Sequence, residues 1–163
     1  MQQGLTQCYP RLWRYALVLT GNRDSAGDLA QATCARALEN HDKFELGTGL
    51  DRWLFRIAQR IWLNDLRAAK VRRGGGVVPV EEIDLPSASI SAETNFFVGE
   101  VLHSIYALPE AQRICVLLVY VEGFKYDEAA EVLEIPVGTI MSRLAAARKS
   151  IAQQLQDKET KSK

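Results

Sequence analysis

Long apolar runs are missing from this 163-residue chain. Nothing in it approaches the roughly 18 consecutive apolar residues of a membrane span, and its N-terminus lacks the charged-then-apolar pattern of a secretion signal. A soluble protein that stays in the cytoplasm, with no membrane insertion, is the expectation. Cysteine is scarce too: Cys8, Cys34 and Cys115 are odd in number, far apart in sequence and without CxxC or Cys/His ligand spacing. That excludes a disulfide framework and leaves reduced, structural thiols. The only histidines are His41 and His103, and neither they nor the cysteines make a triad or metal spacing, so no catalytic residue, metal or cofactor is expected. Net charge is zero, which at first argues against a polyanionic partner.

The zero is a sum of unlike parts. Residues 1 to 73 carry 12 Lys/Arg against 7 Asp/Glu, residues 74 to 100 carry 0 against 5, and residues 101 to 163 carry 8 of each. The middle stretch also loses helical periodicity: RRGGGVVPVEEIDLPSAS has three glycines, two prolines and the acids Glu81, Glu82 and Asp84. Such a composition predicts an extended linker over 74–90 between domains at 1–73 and 91–163. The fold class is therefore all-α: two small helical domains joined by a flexible linker, the second a four-helix domain with a helix-turn-helix.

In the first domain a helix is expected over Leu5–Thr20, with Leu5, Cys8, Leu12, Ala16 and Leu19 on one face and an interruption at Pro10. Asp24 or Ser25 can cap a second helix, whose inward positions are Leu29, Thr33, Ala37 and Cys34 and whose outer side shows Asp28, Gln31, Arg36 and Glu39. A two-glycine loop follows, and Asp51 is a plausible cap for the third helix.

That third helix, RWLFRIAQRIWLNDLRAAKVRR at 52–73, organises the domain. Leu54, Ile57, Ile61 and Ala68 fall on one side with Phe55, Trp62 and Leu66 beside them, while Arg56, Arg60, Arg67 and Lys70 line the other. An ordinary solvated face mixes Glu with Lys, because each i,i+4 pair stabilises a helix by roughly 0.2–0.5 kcal/mol. An all-cation stripe forgoes that gain and suits an anionic partner such as a phosphate backbone. Trp53 and Trp62 add flat surfaces on which bases could stack. Asp65 lies next to the apolar arc, so a partner from Arg14 or Arg36 is expected.

In the second domain Ser91 can cap a helix from Ala92 to Ala107. Pro109 then opens a helix with Ile114, Leu117, Leu118 and Val121 on its apolar face. Tyr126–Leu133 follows with Tyr126, Ala129, Ala130 and Leu133 inward, then a break at Glu134-Ile135-Pro136 and a longer helix whose inward register is Val137, Ile140, Leu144, Ala147 and Ile151. Its outer face offers Thr139, Ser142, Arg143, Arg148 and Lys149 and has no acid before Asp157. A short helix, a tight turn and a longer helix with an acid-free face is a helix-turn-helix pattern that reads duplex DNA. A stand-alone helix-turn-helix repressor or activator with a helical dimerisation domain accounts for this half equally well, but leaves the cationic aromatic helix unexplained.

Taken in order, DLAQATCARAL at 28–38, the 52–73 helix and ALPEAQRICVLLVYVEGFKYDEAAEVLEIPVGTIMSRLAAAR at 107–148 resemble the extracytoplasmic-function (ECF) sigma factors of the bacterial sigma-70 family. The stretch YPRLWRYALVLTGNRDSAGDLAQ is similar to sigma factors of the proteobacterial general stress response. The resemblance implies a transcription initiation factor without covalent chemistry of its own. Its partners would be core RNA polymerase, promoter DNA and an anti-sigma factor. It implies that 1–73 is sigma region 2, with Asp28, Leu29 and Gln31 on the polymerase. Phe44, Trp53, Arg56, Arg60, Trp62, Arg67 and Lys70 would then act at the opened −10 element. It implies that 91–163 is sigma region 4, with Thr139, Met141, Ser142, Arg143, Arg148 and Lys149 on the −35 duplex. The linker acids would be either a tether or a mimic of nascent RNA in the polymerase exit channel. The chain departs from the family pattern at Arg60, often Asn; at Ala32 and Cys34, usually Glu and Phe; at Met141 and Ala146, often basic; and at Glu134, frequently a turn glycine.

Overall fold

The computed structural model describes residues 2–72, 74, 101 and 103–161. The expected linker beyond residue 74, and most of the helix expected over 92–107, lie outside them. All regular structure among the described residues is helical, and the chain divides into two compact units.

The first unit is built from α1 (Gln2–Thr20), α2 (Arg23–Glu39), a 3₁₀ turn (His41–Lys43) and α3 (Leu50–Arg72), and each of the three helices packs on the other two. Pro10 does not interrupt α1 as expected. It lies on the solvent side, and burial of Leu5, Leu12, Tyr15, Ala16 and Leu19 on the other side carries the helix through it. The cap of α2 is Asn22 rather than Asp24 or Ser25: its Oδ1 accepts from the backbone N–H of Asp24 at 2.9 Å and of Ser25 at 3.0 Å. Asp51 is not a cap either. It sits inside the first turn of α3, where Oδ2 accepts from Arg11 Nη1 at 2.6 Å and Oδ1 from the Arg52 N–H, so it ties α1 to α3.

The buried side of α3 is rotated from the expected arc. Leu54, Phe55, Ala58 and Gln59 are buried, Ile57 and Ile61 lie at the edge, and Ala68 is exposed. Two contacts from one α1 residue, Tyr15, explain the rotation. The Tyr15 ring stacks on Phe55 with centroids 4.6 Å apart, and its hydroxyl donates to Gln59 Oε1 at 2.7 Å, so a polar residue is satisfied in the core. The rotation leaves Asp65 exposed, so the expected pairing with Arg14 or Arg36 has no desolvation to offset; Arg36 stands 3.8 Å from Glu39 instead.

In the second unit, residues 103–106 are helical, and Pro109 precedes α4 (Glu110–Val116), which runs into a π-helical turn (Leu117–Val121). Ile114, Leu117 and Leu118 are buried as expected, but Val121 is 57% exposed because the wider turn swings it off the apolar face. Gly123, at φ 75°, stops the chain turning. Next come α5 (Tyr126–Leu133) and α6 (Val137–Lys161). Ala129, Ala130, Leu133, Ile140, Leu144 and Ala147 are buried, and Ile151 is half-buried. Tyr126 and Val137 are 37% and 40% exposed rather than inward: each is the first residue of its helix, and that end opens to solvent. Glu134, between α5 and α6, is the one non-glycine residue with positive φ (55°) among the described residues. It accepts a left-handed backbone that costs an ordinary side chain about 1–2 kcal/mol, at the position where a glycine is frequent in the resembled family.

Candidate nucleic-acid interface

On the first unit a cavity of about 310 Å³ opens beside α3. Trp53, Ile57 and Ile61 form its apolar wall, and Arg36, Lys43 and Arg60 with the amides of Asn40 and Asn64 complete its lining. The Phe44 ring stands 5.3 Å from Trp53, tilted by 48°. The 3₁₀ turn brings in Lys43, whose Nζ donates to Asn40 Oδ1 at 2.7 Å. Arg67 and Lys70 continue the cation stripe in exposed positions, and Arg56 is half-buried on the same side. Phe44, Trp53 and Arg60 are thus gathered at one concave, cationic, aromatic-walled surface. Arg36, Lys43, Asn40 and Asn64 were not anticipated, since they come from the end of α2, the short turn and α3, and only the tertiary fold collects them.

Trp62 is not part of this surface. Nine residues separate it from Trp53, which at 100° per residue puts the two indoles on opposite sides of α3. Trp62 lines a second groove with Asp28, Leu29, Ala32, Ile61 and Asp65. Asp28 and Leu29 therefore share a groove with Trp62, and Gln31 is exposed on the same helix, α2.

On the second unit, Thr139 and Arg143 are half-buried, while Met141, Ser142, Arg148 and Lys149 are exposed. The Arg148 guanidinium donates to the Tyr120 hydroxyl at 2.6 Å, and hydrogen bonding to Tyr120 and Tyr126 holds its pKa above the ordinary value. Arg143 lies against Cys115, whose thiol is pushed up by burial and drawn back by that cation. Ser142 Oγ donates to the Thr139 carbonyl at 3.1 Å. Tyr120 was missed; an exposed tyrosine at the end of an apolar helix carries no sequence signal by itself. Among the described residues no group of three or more His, Cys, Asp or Glu could hold a metal ion, and no helix is long and apolar enough to cross a membrane.

These surfaces lie within two family matches: sigma-70 region 2 over residues 5–72 and sigma-70 region 4 over residues 99–151. The ECF RNA polymerase sigma factor EcfG of Rhodopseudomonas palustris is 32% identical, covering 93% of this chain and 83% of its own. SigW of Bacillus subtilis, another ECF sigma factor, is 28% identical over 90% of this chain and 84% of its own. Among solved structures, the sigma factor RpoE of Bartonella quintana, crystallised with the anti-sigma factor NepR, is similar with a TM-score of 0.81 at 29% identity, covering 95% of this chain and 96% of that one. With both regions present in order and a relative above 30% identity matched along most of its length, the chain belongs to the ECF sigma factors of the sigma-70 family, the promoter-specific initiation factors of RNA polymerase.

Proposed function

We propose that this chain binds core RNA polymerase in the cytoplasm, directs it to promoters with a −35 and a −10 element, and opens the DNA without covalent chemistry of its own. Residues 1–73 act as region 2, residues 91–163 as region 4, and 74–90 as the joint between them. The observation that carries the reading is the Trp53 cavity. Unstacking a base costs a few kcal/mol, and an apolar wall with an indole in it, with cations along the strand's path, offsets that cost. Phe44 and Trp53 hold the extruded −10 base, and Arg56, Arg60, Arg67 and Lys70 follow the single strand's phosphates.

Polymerase docks on Asp28, Leu29 and Gln31, with Trp62 as the apolar centre of that groove rather than as a base platform. Thr139, Met141, Ser142, Arg143, Arg148 and Lys149 face the −35 duplex. An anti-sigma factor, by likeness to the complex of the Bartonella protein, holds the chain inactive. A stand-alone repressor would leave the region 2 match without a role and is not retained.

In-vitro transcription with core polymerase on a randomised promoter library tests the reading. Initiation that depends on added protein and enriches two spaced elements is expected, with Trp53→Ala losing selection of the −10 element alone. Initiation unchanged by the protein would overturn it.

A further inference from the structure

The outward face of α6 is short of the side chains that read guanine. Opposite the buried line of Ile140, Leu144 and Ala147 stand Met141, Ser142, Ala145 and Ala146, all exposed, with Met141 at 53%. These fill the first three turns, the part of a recognition helix that reaches base edges. The commonest specific contact in the major groove is a bidentate Arg or Lys on guanine O6 and N7, and here no basic residue occupies the centre of that face. Two of the nearby cations are drawn aside, and the third lies farther along the same face. Arg148 is bonded to the Tyr120 hydroxyl, Arg143 is half-buried against Cys115, and Lys149 stands twelve residues along from Val137, about 18 Å from the start of the helix. Such flanking charges suit phosphates, which position the helix without carrying sequence information.

What remains at the centre is apolar, with one hydroxyl. Apolar side chains meet one distinctive apolar group in the major groove, the 5-methyl of thymine. Ser142 already gives its proton to the Thr139 carbonyl, so toward the groove it presents lone pairs that accept from an amino group, such as adenine N6. Methyl contact and amino donor are the two halves of a T·A pair.

We propose that Met141, Ala145 and Ala146 determine −35 specificity by packing on thymine methyl groups, with Ser142 accepting from the paired adenine, so that this factor selects T·A pairs where a basic residue would select G·C. The proposal rests on the reading of α6 as the −35 helix and deepens it.

The test uses the full chain with core polymerase. The −35 sequence is first selected from a randomised promoter library. Each of its thymines is then replaced in turn by deoxyuridine, which removes only the methyl group, and holoenzyme binding to the duplex promoter is measured. A loss of about fourfold is expected at each contacted thymine, the worth of one buried methyl. Met141→Ala should abolish the deoxyuridine effect at one position, and Met141→Arg should shift selection there from T·A to G·C. Because Met141 is exposed, neither variant should disturb folding. Guanines selected opposite Met141 and Ala146, or binding indifferent to deoxyuridine, overturns this inference and leaves the initiation-factor reading standing. Promoter use independent of any −35 sequence overturns the −35 role of α6 and this inference with it.

Discussion

Removing a single oxygen, in Tyr15→Phe, should unbalance the core of the first unit. The hydroxyl is fully buried and its 2.7 Å bond to Gln59 Oε1 joins α1 to α3. Losing a hydrogen bond costs about 1 kcal/mol net, but the larger effect is the carbonyl of Gln59 left without that donor, which brings the total to about 1–3 kcal/mol. Gln59 is 8% exposed, which gives water little room to replace the donor, so about 2 kcal/mol is the expected loss. For a unit of this size each 1 kcal/mol moves the midpoint by about 4–8 °C, so the first unit should melt roughly 8–16 °C lower. Thermal and urea unfolding followed by circular dichroism on the full chain measures it. The decisive comparison is Tyr15→Phe with Gln59→Leu: with both partners apolar no orphan remains, and the double variant should lose less than the sum of the two single changes. A Tyr15→Phe protein that melts with the parent, or a double variant whose losses merely add, would refute the account of this core.

The two indoles should separate by assay. Trp53→Ala should weaken capture of the opened −10 strand by about 1–3 kcal/mol, the worth of one base stack, with little change in affinity for core polymerase. Trp62→Ala should do the reverse, read as a weaker Kd for core polymerase with single-strand binding kept; if both variants fail in the same assay, the division of α3 into two working sides is wrong. A third expectation concerns alkali. Burial raises the pKa of Cys8, Cys34 and Cys115 above the ordinary thiol value, so the folded chain holds these protons more tightly than the unfolded chain does. Stability should be full below about pH 8.5 and fall as pH rises beyond it, because the unfolded state then binds fewer protons. Urea midpoints at pH 7 and pH 10 check this, and Cys115→Val should flatten the decline for the second unit.

Much of the fold follows from spacing alone. Helical periodicity located α2, α3 and α5 to within about two residues and α6 at its start, and the buried Leu29, Thr33, Ala37, Ile140, Leu144 and Ala147 follow from the same period. What escaped were choices made by tertiary contact. Pro10 reads locally as a break, yet packing on its far side overrides it. Asp51 reads as a cap until Arg11 arrives from forty residues away. A π-helical turn inserts extra width that a fixed 3.6 period misplaces, hence Val121. The cation stripe of α3 was legible because it breaks the usual habit of alternating charge. The cavity next to it was not, since Arg36, Asn40 and Lys43 become neighbours of Trp53 only when the helices close. The opposition of Trp53 and Trp62 was there to be read from their nine-residue interval.

That interval makes α3 something like a key with a bit cut on each edge. On the proposed reading one edge engages the enzyme and the other the parted strand, with a helix barrel about 10 Å wide between them. Adding one residue between the two indoles would keep every existing side chain and yet twist one edge by 100° against the other. Length, as well as identity, is therefore fixed in this stretch.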